Sequence, residues 1–95
     1  MIRIVAQFHL KEGSIEAATK IARELIEATR KEEGCVQYDL VQSTKDDHIL
    51  VILEAWDNQE ALDAHSASEH FAKYVPQLAA LCQAQPAVES FRQLI

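Results

Sequence analysis

The stretch EAWDNQEALDAHSASEHF, residues 54–71, decides how the chain is read. It continues the apolar run ILVIL at 49–53, so it begins as the end of a strand that carries Glu54 and Trp56. Asp57-Asn58 then turns the chain. Asp57 with Glu60 has the spacing of a capping box, in which the Asp accepts from free helix amides and the Glu reaches back. Ser66 with Glu69 repeats that spacing. The pattern predicts two short helices, the first carrying His65 and the second opening just before His70 and Phe71. A strand that reads as buried therefore delivers a carboxylate and an indole to one end of a sheet, and two helices bring two imidazoles nearby.

The flanking sequence reads as scaffold for this corner. Residues 2–10 form a strand with Ile2, Ile4, Ala6 and Phe8 on one face and Arg3, Val5, Gln7 and His9 on the other. Ser14 is a candidate N-cap for the clearest helix of the chain, which the spacing extends to Glu33, with Gly34 as its C-terminal cap. Ile15, Ala18, Ala22, Leu25, Ile26 and Thr29 make its apolar stripe. Residues 35–42 form a second strand, with Val36, Tyr38 and Leu40 sharing a face. His48–Trp56 is the third strand, and it is apolar on both faces, as an interior strand should be. Pro76 predicts a kink or a fresh start in the last helix, because proline costs about 3 kcal/mol inside a helix. Residues 88–94 make a last strand. Strand, helix, strand, strand, helix, strand is the split βαβ order of a ferredoxin-like α+β fold with one antiparallel sheet, and residues 1–95 read as one domain. Its second face is too apolar to leave in water, which predicts a homodimer.

Composition narrows the function. The formal charge of −6, with nine scattered basic residues, argues against a nucleic-acid partner. No apolar run approaches the roughly 20 residues of a membrane span. No signal peptide is seen, so a soluble cytoplasmic protein is expected. Cys35 and Cys82 make no disulfide framework and read as small buried hydrophobes.

Four histidines raise the question of a metal. His65 and His70 are five residues apart, which on one helix places them on different faces, whereas metal-binding pairs are spaced by three or four. No metal site is expected. With two glycines there is no phosphate loop and no flavin or nicotinamide fingerprint, so no cofactor is expected either. What remains is an acid–base set beside an apolar pocket. His65 titrates near neutrality, as a general base must. Glu54 lies on an apolar strand face, where a carboxylate must find a partner or change its pKa. Trp56, Tyr38, Phe71, Tyr74 and His70 are candidates to wall a substrate.

EEGCVQYDL at 32–40, LEAW at 53–56 and AHSASEHF at 64–71 resemble the antibiotic biosynthesis monooxygenase family, and the likeness runs from IRIVAQF to SFRQLI. The resemblance implies a dimeric α/β-barrel of ferredoxin-like subunits, each with a pocket between sheet and helices. It implies a cofactor-free monooxygenase: His65 deprotonates a small quinol or polyphenol, Glu54 orients His65, and the electron-rich anion reduces O2 without metal or flavin. Other members isomerise a small phosphorylated autoinducer. That alternative uses the same base and needs a cation for phosphate, for which Arg3 and Lys73 are the candidates. A dimeric binding module without catalysis is a third reading. The haem-degrading branch is similar only in part, since its strand-one Asn, its Trp and its His fall here on Gln7, His65 and the neighbourhood of Val75.

Overall fold

The computed structural model describes all 95 residues, Met1–Ile95. The elements are β1 (Ile2–His9), α1 (Ile15–Thr29), β2 (Cys35–Gln42), β3 (Ile49–Trp56), α2 (Gln59–Ser66), α3 (Glu69–Ala80) and β4 (Ala87–Arg92). The sheet runs β2-β3-β1-β4 with every pair antiparallel, the ferredoxin-like order that the sequence predicts. No helix is long and apolar enough to cross a membrane.

The alternation in β1 and β3 sets the core. Ile4, Ala6 and Phe8 are buried on the helix side and register against Glu54, Ile52 and Leu50. Ala18, Ala22 and Leu25 on α1 are fully buried against them. Two alanines in that stripe let the helix backbone approach the sheet closely. On the opposite face, Arg3 donates to the Glu54 carbonyl at 3.0 Å and to Gln37 Oε1 at 2.8 Å. Its side chain therefore spans β3 above Ala55, its register partner, which is only 2% exposed although no helix covers it.

Five expectations are corrected. α1 ends at Thr29, with Arg30 at its C-cap, so residues 31–34 form turns rather than the last helical turn. A bulge between Cys35 and Gln37 sets Cys35 opposite Trp56, and Val36 leaves the face of Tyr38 to stand 53% exposed. The caps are Asn58 and Ser68, whose side chains accept from the amides of Ala61 at 2.9 Å and Phe71 at 3.3 Å; Asp57 lies in the bend between β3 and α2, and Ser66 closes α2. Ser14 occupies the N-cap of α1 without a side-chain cap bond. Pro76 lies inside an uninterrupted α3. It sits with Ala72 on the exposed side of that helix, where water can take the Ala72 carbonyl that proline leaves unpaired.

Gly34 joins the strand end to α2. Its φ is +86°, and a Cβ there would come within 2.5 Å of Ala61 Cβ. Gly13 has φ +76° with open space around it. Gly13→Ala should therefore cost only the left-handed penalty, about 1–2 kcal/mol. Gly34→Ala should cost more, because α2 must also shift. Urea unfolding of both variants checks the order, and equal losses would show that the Gly34–Ala61 approach is not limiting.

Candidate functional site

The early end of α1 is what builds the site. Released from the helix, Glu32 turns its carboxylate under α2 and α3. Its Oε2 accepts from His65 Nδ1 at 2.7 Å and from His70 Nε2 at 2.8 Å. The break between α2 and α3 makes this double contact possible. Ser68 Oγ donates to the His65 carbonyl at 2.6 Å and caps α3, so the two histidines sit on different helices at different angles. The five-residue spacing that counts against a shared partner on one helix therefore does not apply.

His65 is 2% exposed. Its ring packs among aromatic neighbours, with centroids 4.6 Å from Trp56, 5.2 Å from Phe71 and 5.3 Å from Tyr38. Glu32 occupies Nδ1, and the other ring nitrogen, Nε2, is buried without a partner. Because an ionised carboxylate can only accept, Nδ1 carries the proton and Nε2 keeps its lone pair. Burial holds the His65 pKa below its ordinary value, with the Glu32 bond pulling the other way, so the ring is neutral near pH 7.

Glu54 reaches the same space from β3. Trp56 Nε1, two residues along the same face, donates to Glu54 Oε1 at 2.9 Å. Burial pushes the Glu54 carboxyl up to about 7, and the negative charge of Glu32 adds to that while the indole bond opposes it. Burial, with Glu54 next, also raises the Tyr38 hydroxyl, so Tyr38 stays a neutral phenol.

A cavity of about 270 Å³ opens between the sheet and α2–α3. Tyr38, Glu54, His65 and Phe71 line it, with apolar walls from Ile4, Ile52 and their neighbours. Of the residues chosen from sequence, these four come together on the cavity and three do not. Trp56 is fully buried behind it. His70 stands outside it, joined through Glu32. Tyr74 lines a groove between α1 and α3, with Lys73 Nζ 5.1 Å from its ring centroid. The expected contact between Glu54 and His65 is replaced by Glu32–His65. Sequence reasoning missed Glu32 as a site residue because the helix spacing carries α1 on to Glu33 and leaves Glu32 in its last turn. The Gly34 that follows it was the available signal that the backbone turns there. Arg3 and Lys73 both lie away from the cavity.

The profile of the family described as antibiotic biosynthesis monooxygenase matches residues 1–77. A solved structure described as an antibiotic biosynthesis monooxygenase is 35% identical, with a TM-score of 0.93 and full coverage of both chains. A conserved protein from Methanosarcina mazei Go1 is 32% identical, with a TM-score of 0.95 over 98% of this chain and 92% of that one. YcnE from Bacillus subtilis (strain 168), provisionally named a monooxygenase, is 32% identical over 75 residues, 79% of each chain. The chain belongs to the antibiotic biosynthesis monooxygenase family and has its ferredoxin-like α+β fold.

The two shifted groups make stability depend on pH in opposite senses. Glu54 binds its proton more tightly folded than unfolded. Its contribution is fully present below its ordinary 4.5 and is lost as pH rises through about 7. His65 is depressed when folded, so its contribution falls as pH drops below 6.5. Glu54→Gln keeps an acceptor for Trp56 and removes the first effect. The melting temperature of the variant minus that of the wild type should therefore rise from pH 5 to pH 8. A difference that stays constant across that range would contradict the buried, raised carboxyl.

Proposed function

We propose that this member of the antibiotic biosynthesis monooxygenase family oxidises a small dihydroxy-aromatic with O2, using His65 as general base. The observation that supports the reading most is the state of His65: a neutral imidazole held through Nδ1 by Glu32, with its Nε2 buried and unpartnered in a side chain that lines an apolar cavity. A cavity of about 270 Å³ suits one or two rings. Nε2 takes a phenolic proton, and Glu32 stabilises the imidazolium that results. Glu54, fixed through Oε1 by Trp56, meets the second hydroxyl with its other oxygen. The phenolate gives its electrons to O2. One oxygen atom enters the ring, the other leaves as water, and the four electrons come from the substrate as the quinol becomes a hydroxyquinone. The protein supplies proton transfer, orientation and a dry site. Tyr38 and Phe71 hold the ring.

The isomerase alternative needs a cation for a phosphate group. Arg3 is engaged on the far face of the sheet and Lys73 lies over Tyr74, so the apolar cavity favours the quinol reading.

We infer that the active form is a homodimer. Val5, Val51 and Leu53 stand on the helix-free face with Val41 and Phe91, which are 41% and 44% exposed. All of β4 is exposed as well. A second copy of this face would bury that surface. Sedimentation at micromolar concentration should give a dimer, and Val5→Asp should give a monomer or an unfolded chain; a folded wild-type monomer would contradict the inference.

Quinol-dependent oxygen uptake tests the base. His65→Ala should lower turnover by roughly 10²–10⁴ while the protein stays folded. Glu32→Gln should lower it less. Because Glu32 raises the His65 pKa, that variant should also move the acid limb of the kcat/KM profile to lower pH. Full turnover in folded His65→Ala would refute the assignment.

A further inference from the structure

We propose that Glu32, His65 and His70 form a binding site for a divalent transition ion of the zinc class. Three elements supply the donors: the turn after α1, then α2, then α3. Glu32 Oε2, His65 Nδ1 and His70 Nε2 all lie within 4.8 Å of one another. Two imidazoles and one carboxylate are a borderline donor set, suited to zinc, nickel, cobalt or copper rather than to magnesium or calcium. Three protein ligands leave a further position for water.

The two donor hydrogen bonds, 2.7 and 2.8 Å, are shorter than the spacing of ligands around a metal. Tetrahedral zinc, with bonds of about 2.0–2.2 Å, sets neighbouring ligand atoms about 3.3 Å apart. The donors must therefore open by roughly half an ångström, on the same zinc geometry. His65 is locked by its neighbours, but His70 and Glu32 have 20% and 15% exposed side chains and can make that adjustment. An entry path exists. The groove between α1 and α3 reaches His70; Glu24, Glu27 and Glu69 line it together with Lys31 and Lys73, so its carboxylates outnumber its ammonium groups only by one.

Coordination would change the cavity. A neutral imidazole bound through Nδ1 carries its proton on Nε2. The unpartnered Nε2 would turn from acceptor to donor, and His65 would stop acting as a base. The ion is thus an off-switch for turnover, a consequence that rests on the base assignment above, whereas binding itself does not.

Calorimetric titration of the chelator-treated chain with zinc sulfate decides the matter. One ion per chain is expected. His70→Ala and Glu32→Gln should each weaken binding by about tenfold or more, with circular dichroism confirming the fold. His48→Ala is the control, since that imidazole sits between Glu12 and Asp46, away from the cluster, and it should bind as the wild type does. No saturable binding, or wild-type affinity in folded His70→Ala, overturns the site whether or not the protein turns over quinols. Stoichiometric binding that follows the His70 and Glu32 variants establishes it. If such binding leaves quinol turnover unchanged, the site stands and the base assignment is what fails.

Discussion

One carboxylate oxygen, Oε2 of Glu32, holds two imidazoles at once, and the chemistry of the cavity depends on it. In water a neutral imidazole is free to keep its proton on either nitrogen. Inside this protein the acceptor at Nδ1 removes that choice. It also supplies the negative charge that an imidazolium would need, in a place where burial disfavours charge. Gly34 turns the chain just after Glu32, the early end of α1 frees the carboxylate, and Ser68 breaks α2 from α3 so that both rings can face it. Three backbone features that look like loop detail are therefore what define the site.

The cavity holds a second group whose environment pushes it the other way. Burial lowers His65 and raises Glu54 to about 7, so the imidazole favours its neutral form while the carboxyl holds its proton more tightly than a free one. Titratable groups moved apart in this manner are a sign of acid–base chemistry. Trp56 contributes from behind the cavity by fixing one oxygen of Glu54, which keeps the other in a defined direction.

Much of this was legible in the residues. The period-two pattern of Ile4, Ala6 and Phe8 set the apolar face of β1 apart, because alternation is a direct consequence of strand geometry, whereas β3 reads as apolar on both faces. Glu54 and His65 stood out since each is a polar group in an apolar setting. Tyr38 and Phe71 followed from their faces. Glu32 did not, because an acid at the end of a charged helix looks the same whether it faces water or turns inward. The difference lies in where α1 stops, and packing decides that over four residues of good helix formers. His70 and Tyr74 were placed on the cavity by proximity in sequence. The start of α3 instead rotates His70 toward Glu32 and Tyr74 toward α1. The bulge at Val36 escaped notice for a similar reason: one extra residue swaps faces without altering the composition of a strand.

Glu32 fixes the tautomer of His65, so that the free lone pair belongs to Nε2. Long-range ¹H–¹⁵N correlation spectra of the imidazoles at neutral pH test it directly. A protonated Nδ1 with an unprotonated Nε2 is expected on His65. A His65 ring carrying its proton on Nε2 would contradict it.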